Sequence, residues 1–189
     1  MSADRRARSV STPGPASGAT PSAGRRVAVA LLLVVTVTAV AAVGALSNAP
    51  NTDGWYASVE KVPWSPPNWL FAPVWTVLYL SIALTGYLLW RRGFAGPGRP
   101  SAMRRQLTLF VSALVLNALW SPVFFADYPL VGVAAWWGGM AIMVLLIVNV
   151  VVLAFAARSV SVVAAVLQVP YLAWLCLAAS LNAGIILRN

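Results

Sequence analysis

Five long segments of the sequence are almost continuously apolar and carry no charged side chain. They run over residues 27–46, 70–90, 107–126, 130–153 and 160–187. A helix needs about 20 predominantly apolar residues to cross the hydrocarbon core of a bilayer, and each segment meets that length. The pattern therefore predicts an all-α integral membrane protein built as a bundle of five transmembrane helices.

The segment pattern also divides the chain into a tail and one membrane domain. Residues 1–26 are rich in Ser, Pro, Gly, Ala and Arg, a composition that cannot bury a core, so a disordered, basic cytoplasmic tail is predicted there. The first apolar run is longer than the about 7–15 residues of a signal peptide. We interpret it as a retained span, which makes residues 27–189 a single five-helix membrane domain.

Composition supports a membrane protein and excludes several kinds of chemistry. The chain is 60% hydrophobic and 9% charged, whereas about a quarter of a soluble domain is charged. The net charge of +9 does not indicate nucleic acid, because the charges lie outside the apolar segments. With no histidine, a single Cys176 and no paired carboxylates, the sequence predicts no metal site and no cofactor.

Arginines concentrate in alternate connections, and this predicts the orientation. Basic residues precede the first segment, separate the second from the third, and separate the fourth from the fifth; the other two connections hold Lys61 and three acidic residues. The positive-inside rule then places the N-terminus in the cytoplasm and the C-terminus outside the cell membrane. Arg188 is the exception to this pattern. The arginines that carry the prediction are Arg5, Arg6, Arg8, Arg25, Arg26, Arg91, Arg92, Arg99, Arg104, Arg105 and Arg158.

The connection that leads into the second segment is rich in tryptophan and proline. It reads WYASVEKVPWSPPNWLFAPVW from Trp55 to Trp75. Its prolines fix φ and remove backbone donors, so we expect a stiff loop that caps the mouth of the bundle, with the second helix starting at Pro67 or one residue later. Trp55 and Trp69 fit an interfacial aromatic belt, whereas Trp64 and Trp75 fit either the belt or a binding pocket.

The third segment ends in the motif NALWSPVFF. Asn117, Trp120 and Phe124 share one helical face at spacings of i, i+3 and i+7. An amide in hydrocarbon needs a partner, so Asn117 is predicted to point into the bundle, where it binds a ligand or hydrogen-bonds a neighbouring helix. Pro122 predicts a kink near the end of this span.

The fifth segment contains PYLAWLCLAASLN, whose polar and aromatic residues also share one face. Tyr171, Trp174, Ala178 and Asn182 follow each other at helical spacings of 3, 4 and 4. Such a face lines a flat, mostly apolar pocket, or it packs against another helix with Ala178 permitting close approach. The residues alone leave both interpretations open.

The fourth segment opens with the adjacent pair Trp136 and Trp137. Neighbouring residues of a helix face different directions, so at most one of the two indoles is predicted to face the bundle. Asn149 lies further along the same segment and is predicted to hydrogen-bond another helix.

Four stretches together resemble the translocator protein family, also called the tryptophan-rich sensory proteins or peripheral-type benzodiazepine receptors. They are WYASVEKVPWSPP, FAPVWTVLYL, LNALWSPVFF and PYLAWLCLAASLN, and they follow the family's order and spacing over residues 30–189. The resemblance implies a five-helix bundle that often dimerises, with a pocket among the helices beneath the first loop. It also implies binding of porphyrins such as protoporphyrin IX and, in some members, of cholesterol and synthetic benzodiazepine-type ligands.

The resemblance also implies roles for individual residues. Trp75 and Trp174 match two tryptophans with which some bacterial members look able to degrade protoporphyrin in light. Asn117 matches a pocket amide, and Ala178 matches a small residue whose replacement alters ligand binding in relatives. The complete predicted ligand-binding set is Trp64, Pro67, Trp75, Tyr79, Asn117, Trp120, Tyr171, Trp174, Ala178 and Asn182.

The sequence departs from the family pattern at two places. Asn182 is followed by Ala183, where animal members have an Asn-Tyr pair in a proposed cholesterol motif, and this argues against cholesterol binding. Gly132 and Trp136 align with a tryptophan and an aspartate of many relatives, so the pocket wall is expected to be remodelled here.

The sequence supports several functions. The first is a multi-pass membrane receptor or sensor that binds a tetrapyrrole among the helices. The alternatives are tryptophan-dependent photo-oxidative degradation of porphyrin, transport of porphyrin or another lipophilic solute, and a membrane subunit that binds no ligand. Transport is disfavoured because no charged side chain lies inside an apolar segment to couple an ion. The expected partners are a porphyrin-type ligand, the lipid bilayer and a second copy of the chain.

Overall fold

A computed structural model describes residues 21–93 and 100–189, and every regular element in these ranges is helical. Five helical stretches are long and apolar enough to cross a membrane, which confirms the predicted class. In chain order the elements are α1 (Ala23–Thr52), α2 (Trp55–Ser58), α3 (Asn68–Gly93), α4 (Pro100–Ser121), a π-helical turn (Pro122–Ala126), α5 (Tyr128–Val131), α6 (Val133–Arg158), α7 (Val162–Val166) and α8 (Gln168–Arg188).

The first span, α1, is longer than the apolar run that predicts it. It begins at Ala23 behind an N-cap at Ser22, whose hydroxyl accepts from the Arg25 backbone N–H, so the last residues of the predicted tail are helical. At its other end the helix continues to Thr52, where polar side chains find partners in carbonyls one turn earlier; Thr52 Oγ1, for example, donates to the Asn48 carbonyl at 2.9 Å. The disorder predicted for residues 1–20 lies outside the described residues.

The other spans also differ from their predicted limits at the ends. The second, α3, begins at Asn68 as expected, and the third is α4 continued by a π-helical turn from Pro122, at the position of the predicted kink. Gly132, with φ +61, starts α6. The fifth span is divided at Leu167 into α7 and α8, because Pro170 has no N–H to donate to the preceding turn.

The fourth span, α6, is the central helix of the bundle. Its buried residues recur every three or four positions from Gly139 to Ala157, and this stripe faces α4 on one side and α8 on the other. The opposite side is exposed although it is equally apolar, as Leu145 shows. Of the two adjacent indoles, Trp136 is buried and Trp137 is 59% exposed, which confirms that only one faces the bundle.

Polar side chains join the spans inside the bundle. Gln168 Nε2 donates to Thr85 Oγ1 at 2.8 Å, and Gln106 Nε2 donates to the Ala156 carbonyl at 2.9 Å. Asn149 Nδ2 donates to Ser112 Oγ, so the predicted interhelical role of Asn149 is confirmed. These bonds link different spans because an amide in hydrocarbon is stable only with a partner.

Candidate functional site

A cavity of about 430 Å³ lies in the half of the bundle nearest the connection of residues 53–67, which we call the loop end. All five spans contribute to its wall. The lining residues are Ala41, Gly44, Ala45, Asn48, Thr52, Tyr56, Asn68, Phe71, Ala72, Trp75, Thr76, Tyr79, Asn117, Trp120, Ser121, Phe124, Phe125, Met143, Leu146, Trp174, Leu175, Ala178, Leu181, Asn182 and Ile185.

Most of the predicted site residues lie in this wall, and three do not. Trp75, Tyr79, Asn117, Trp120, Trp174, Ala178 and Asn182 all line the cavity. Tyr171 lies behind the wall, where it is 2% exposed and bonded to Asn117. Trp64 and Pro67 lie outside the wall. The structure thus brings the predicted residues of the second, third and fifth spans together, while their role toward a ligand stays a prediction.

Aromatic rings form much of the wall. Trp75 stacks on Tyr79 of the same helix with ring centroids 5.2 Å apart. Trp174 meets Phe71 edge to face at 5.5 Å, and Trp120 stacks on Phe124 at 5.2 Å with the two planes 12° apart. Because Trp75 and Trp174 line the same cavity, both indoles can reach one ligand. A photo-oxidative role for this pair stays a prediction.

The side-chain amide of Asn117 forms hydrogen bonds with two tyrosines. Its Nδ2 donates to Tyr171 Oη at 2.6 Å, and its Oδ1 accepts from Tyr79 Oη at 3.2 Å. The three residues belong to the third, fifth and second spans, so this network ties three helices together. Of the two interpretations of Asn117, the contacts favour the interhelical hydrogen bond over direct recognition of a ligand.

Asn182 is engaged in a similar way by the backbone of the fourth span. In the amide orientation that satisfies both polar atoms, Nδ2 donates to the Trp136 carbonyl at 3.2 Å and Oδ1 accepts from the Met140 N–H at 3.0 Å. Gly139 leaves the room for this approach, because a Cβ there would lie 3.3 Å from the Asn182 amide atom that is Oδ1 in this orientation. Asn182 therefore presents little free hydrogen-bonding capacity to the cavity.

Two residues of the wall have shielded polar atoms that find no hydrogen-bond partner among the described residues. They are Asn48 Oδ1, an acceptor on the first span, and Trp120 Nε1, a donor on the third. A buried polar atom without a partner costs about 1–3 kcal/mol. These two atoms, and not Asn117, are the polar groups of the wall that remain to be satisfied.

The first span supplies a part of the wall that the sequence motifs do not predict. Ala41, Ala45, Asn48 and Thr52 follow each other at helical spacings, and all line the cavity. In the sequence, this face is a row of small residues followed by polar residues at the point where the apolar run ends. Such a pattern is easily interpreted as the end of a span.

The proline-rich connection packs on the fifth span. A Cβ at Gly184 would collide with Val62 Cγ1, so glycine is required for the loop to lie this close. The Trp64 indole N–H donates to Ser180 Oγ at 3.2 Å, and the Glu60 N–H donates to Asn189 Oδ1 at 2.9 Å. Residues 57–67 do not line the described cavity, and the capping role of the loop stays a prediction.

An aromatic cluster closes the loop end beside the cavity. The Trp55 ring lies 4.1 Å from Tyr128, which stacks on Trp136 at 4.7 Å, and Trp55 Nε1 donates to the Phe125 carbonyl at 3.2 Å. The Trp55 indole is thus packed between the ends of the first and third spans, and its place in an interfacial belt stays a prediction. Burial raises the pKa of the neighbouring Tyr56 phenol above its ordinary value, so this hydroxyl of the wall stays neutral.

Fold and site together define a multi-pass membrane protein whose five-helix bundle encloses an aromatic cavity at one end. Among the described residues no group of three or more histidines, cysteines or carboxylates is placed to hold a metal ion.

Residues 30–188 match the TspO/MBR family, and the chain belongs to this family. It is 36% identical over 163 residues to the tryptophan-rich protein TspO of Archaeoglobus fulgidus, covering 84% of this chain and 97% of that protein. It is 38% identical over 130 residues to the translocator protein of Ovis aries, covering 68% and 70% of the two chains. Over 130 residues it is 30% identical to the tryptophan-rich sensory protein of Cereibacter sphaeroides, covering 69% and 73%. The predicted resemblance is confirmed.

Proposed function

We propose that this protein is a membrane receptor or sensor that binds a tetrapyrrole such as protoporphyrin IX in the cavity at the loop end. The observation that carries the proposal is the set of three indoles, Trp75, Trp120 and Trp174, that three different spans bring to one apolar cavity. The names of the relatives, a translocator protein and a tryptophan-rich sensory protein, are compatible with a receptor but name no ligand.

The chemistry of the wall suits a flat, mostly apolar molecule. Ring stacking contributes roughly 0.5–1.5 kcal/mol beyond the burial of area, and the wall offers stacking faces on several sides. Ligand cavities typically measure about 300–1,000 Å³, which includes the volume found here. The Trp120 N–H and the Asn48 amide oxygen have no partner among the described residues but are shielded, so these side chains would have to turn toward the cavity to orient the ligand.

Titration of the purified protein with protoporphyrin IX, followed by quenching of tryptophan fluorescence, tests this proposal. We expect saturable binding in the parent protein. The double substitution Trp75→Phe with Trp174→Phe is expected to weaken the affinity about tenfold, which corresponds to about 1.4 kcal/mol of lost stacking.

Trp137→Phe is the matched control, because that indole faces outward and lies outside the cavity wall. It should leave the affinity unchanged. Absence of saturable quenching in the parent, or equal weakening by the control, would contradict the proposed site.

The orientation of the bundle is part of the same proposal. At the end opposite the loop end, Arg25 lies 5.9 Å from the Trp90 ring, near Arg91 and Arg92. The exceptional Arg188 is paired with Glu60 at the loop end, so it contributes little net positive charge there. We therefore propose that the loop end faces the outside of the cell membrane.

Thiol labelling in intact cells tests the orientation. In a Cys176→Ser background, Ser58→Cys is expected to react with a membrane-impermeant maleimide without permeabilisation, because Ser58 is exposed at the loop end. Arg92→Cys, exposed at the opposite end, should react only after the membrane is opened. The reverse pattern would overturn the proposed orientation.

A further inference from the structure

We infer that ligands reach the cavity sideways from the bilayer, through a window between the first and second spans at the loop end. The window is bounded by Ala45 and Asn48 on α1 and by Ala72 and Thr76 on α3. The identity of the ligand rests on the proposed function, whereas the path itself rests on the packing of these two helices.

The first span changes its partner along its length. Toward the arginine-rich end it packs closely on the second span, since a Cβ at Gly86 would lie 2.9 Å from Leu33 Cδ2. Toward the loop end it leans on the third span, where a Cβ at Gly44 would lie 3.6 Å from Ser121 Oγ. The Asn48 turn is thus held against the third span, and the space between the first and second spans is left to the cavity.

Small side chains border the space between the first and second spans, and they are both part of the cavity wall and exposed. Ala45, Ala72 and Thr76 all line the cavity, and all three are exposed. Small, exposed residues in the cavity wall are what an opening toward the lipid would have at its edge. No large side chain among these residues blocks the path from the surface to the indoles.

The alternative path, beneath the proline-rich loop, is held shut by three successive contacts. Glu60 meets Arg188 and Asn189, Val62 fills the space above Gly184, and Trp64 bonds Ser180. The three contacts run in one order along the loop and in the reverse order along α8. Because they fasten the loop to the fifth span, opening this route requires breaking them, whereas the window requires no such step.

On the first span, the rim of the window changes from polar to apolar with depth. Asn48, Thr52 and Asn68 lie nearest the loop end, and Ala41 and Ala45 lie deeper in the first span. This gradient fits a flat amphiphile dissolved in the bilayer, which keeps its polar edge at headgroup level while its apolar body passes between the helices.

The test measures access to the cavity without using porphyrin. In a Cys176→Ser background, Ser121→Cys places a thiol in the cavity wall, and a pyrene maleimide dissolved in the vesicle bilayer labels it. Ala45→Phe with Ala72→Phe is expected to slow labelling at least about tenfold, the effect of about 1.4 kcal/mol of added barrier. Thr76→Phe provides an independent obstruction of the same rim, for use if the double substitution does not fold.

Locking the loop is the matched control. Val62→Cys with Gly184→Cys should form a disulfide, because a Cβ at Gly184 lies 3.5 Å from Val62 Cβ, within the about 3.5–4.5 Å found across disulfides. Labelling in this locked protein should equal that of the unlocked protein. Slower labelling with the loop locked, or unchanged labelling with the rim obstructed, would overturn the window.

A second arm separates the window from the proposed function. The association rate of protoporphyrin IX from vesicles should fall in the rim variants and stay unchanged in the locked protein. If the parent binds no protoporphyrin while the maleimide results hold, the proposed ligand is wrong and the window stands. If protoporphyrin binds but only the locked loop slows it, the window is wrong and the proposed ligand stands.

Discussion

Replacing Gly86 with alanine should destabilise the bundle by about 1–3 kcal/mol, the usual effect of overpacking a tight core. Gly86 is buried in α3, and a Cβ there would lie 2.6 Å from Phe110 Cζ and 2.9 Å from Leu33 Cδ2. In an open helix the same substitution would stabilise by about 1 kcal/mol. The sign reverses here because three spans meet at this glycine and Phe110 is only 5% exposed, which leaves its ring little freedom to move.

Thermal unfolding in detergent measures this effect, and Gly44→Ala is the control. A Cβ at Gly44 would meet only Ser121 Oγ at 3.6 Å, an ordinary contact, so that variant should unfold at the parent's temperature or slightly above. If Gly86→Ala were as stable as Gly44→Ala, Phe110 and Leu33 would have to repack without loss, and the close junction of the three spans would not limit stability.

The five spans could be predicted from the sequence because hydrophobic length is a direct physical requirement of the bilayer. Their ends could not be predicted as well. The first span continues through Asn48 and Thr52 to the end of α1, where side chains bond to the backbone. A prediction from hydropathy treats these residues as polar and therefore places the end of the span too early.

The inward faces were predictable only where polar residues mark them. Asn117 and Asn182 identify the cavity faces of the third and fifth spans, because an amide avoids lipid. The fourth span offers no such contrast: buried Leu146 and exposed Leu145 are the same residue type side by side. In lipid both faces of a helix are apolar, so packing alone decides which face is buried.

The position of the proline-rich loop could not be predicted from the loop itself. Its stiffness follows from its prolines, but its place depends on the pairing of Val62 with Gly184, more than a hundred residues away. A single glycine in the fifth span carries no signal of its partner. For that reason Trp64 was expected over the cavity, whereas its indole lies on Ser180.

Replacing Asn117 with leucine is expected to destabilise the protein by about 2 kcal/mol, because it leaves the hydroxyls of Tyr79 and Tyr171 without their partner in a buried site. Asn117 is 8% exposed and Tyr171 is 2% exposed, so water cannot replace the lost amide at the Tyr171 hydroxyl. The measurement is reversible unfolding in mixed micelles, compared between the variant and the parent.

The network of Asn117 with the two tyrosines predicts a further result, which a ligand-binding role of Asn117 does not predict. In a background of Tyr79→Phe with Tyr171→Phe, the hydroxyls are already gone, so Asn117→Leu should cost much less than in the parent, and the losses should be clearly non-additive. Removing all partners together is less harmful than stranding one of them. Additive losses, or a loss of porphyrin affinity with unchanged stability, would show that Asn117 serves the ligand and not the junction of the second, third and fifth spans.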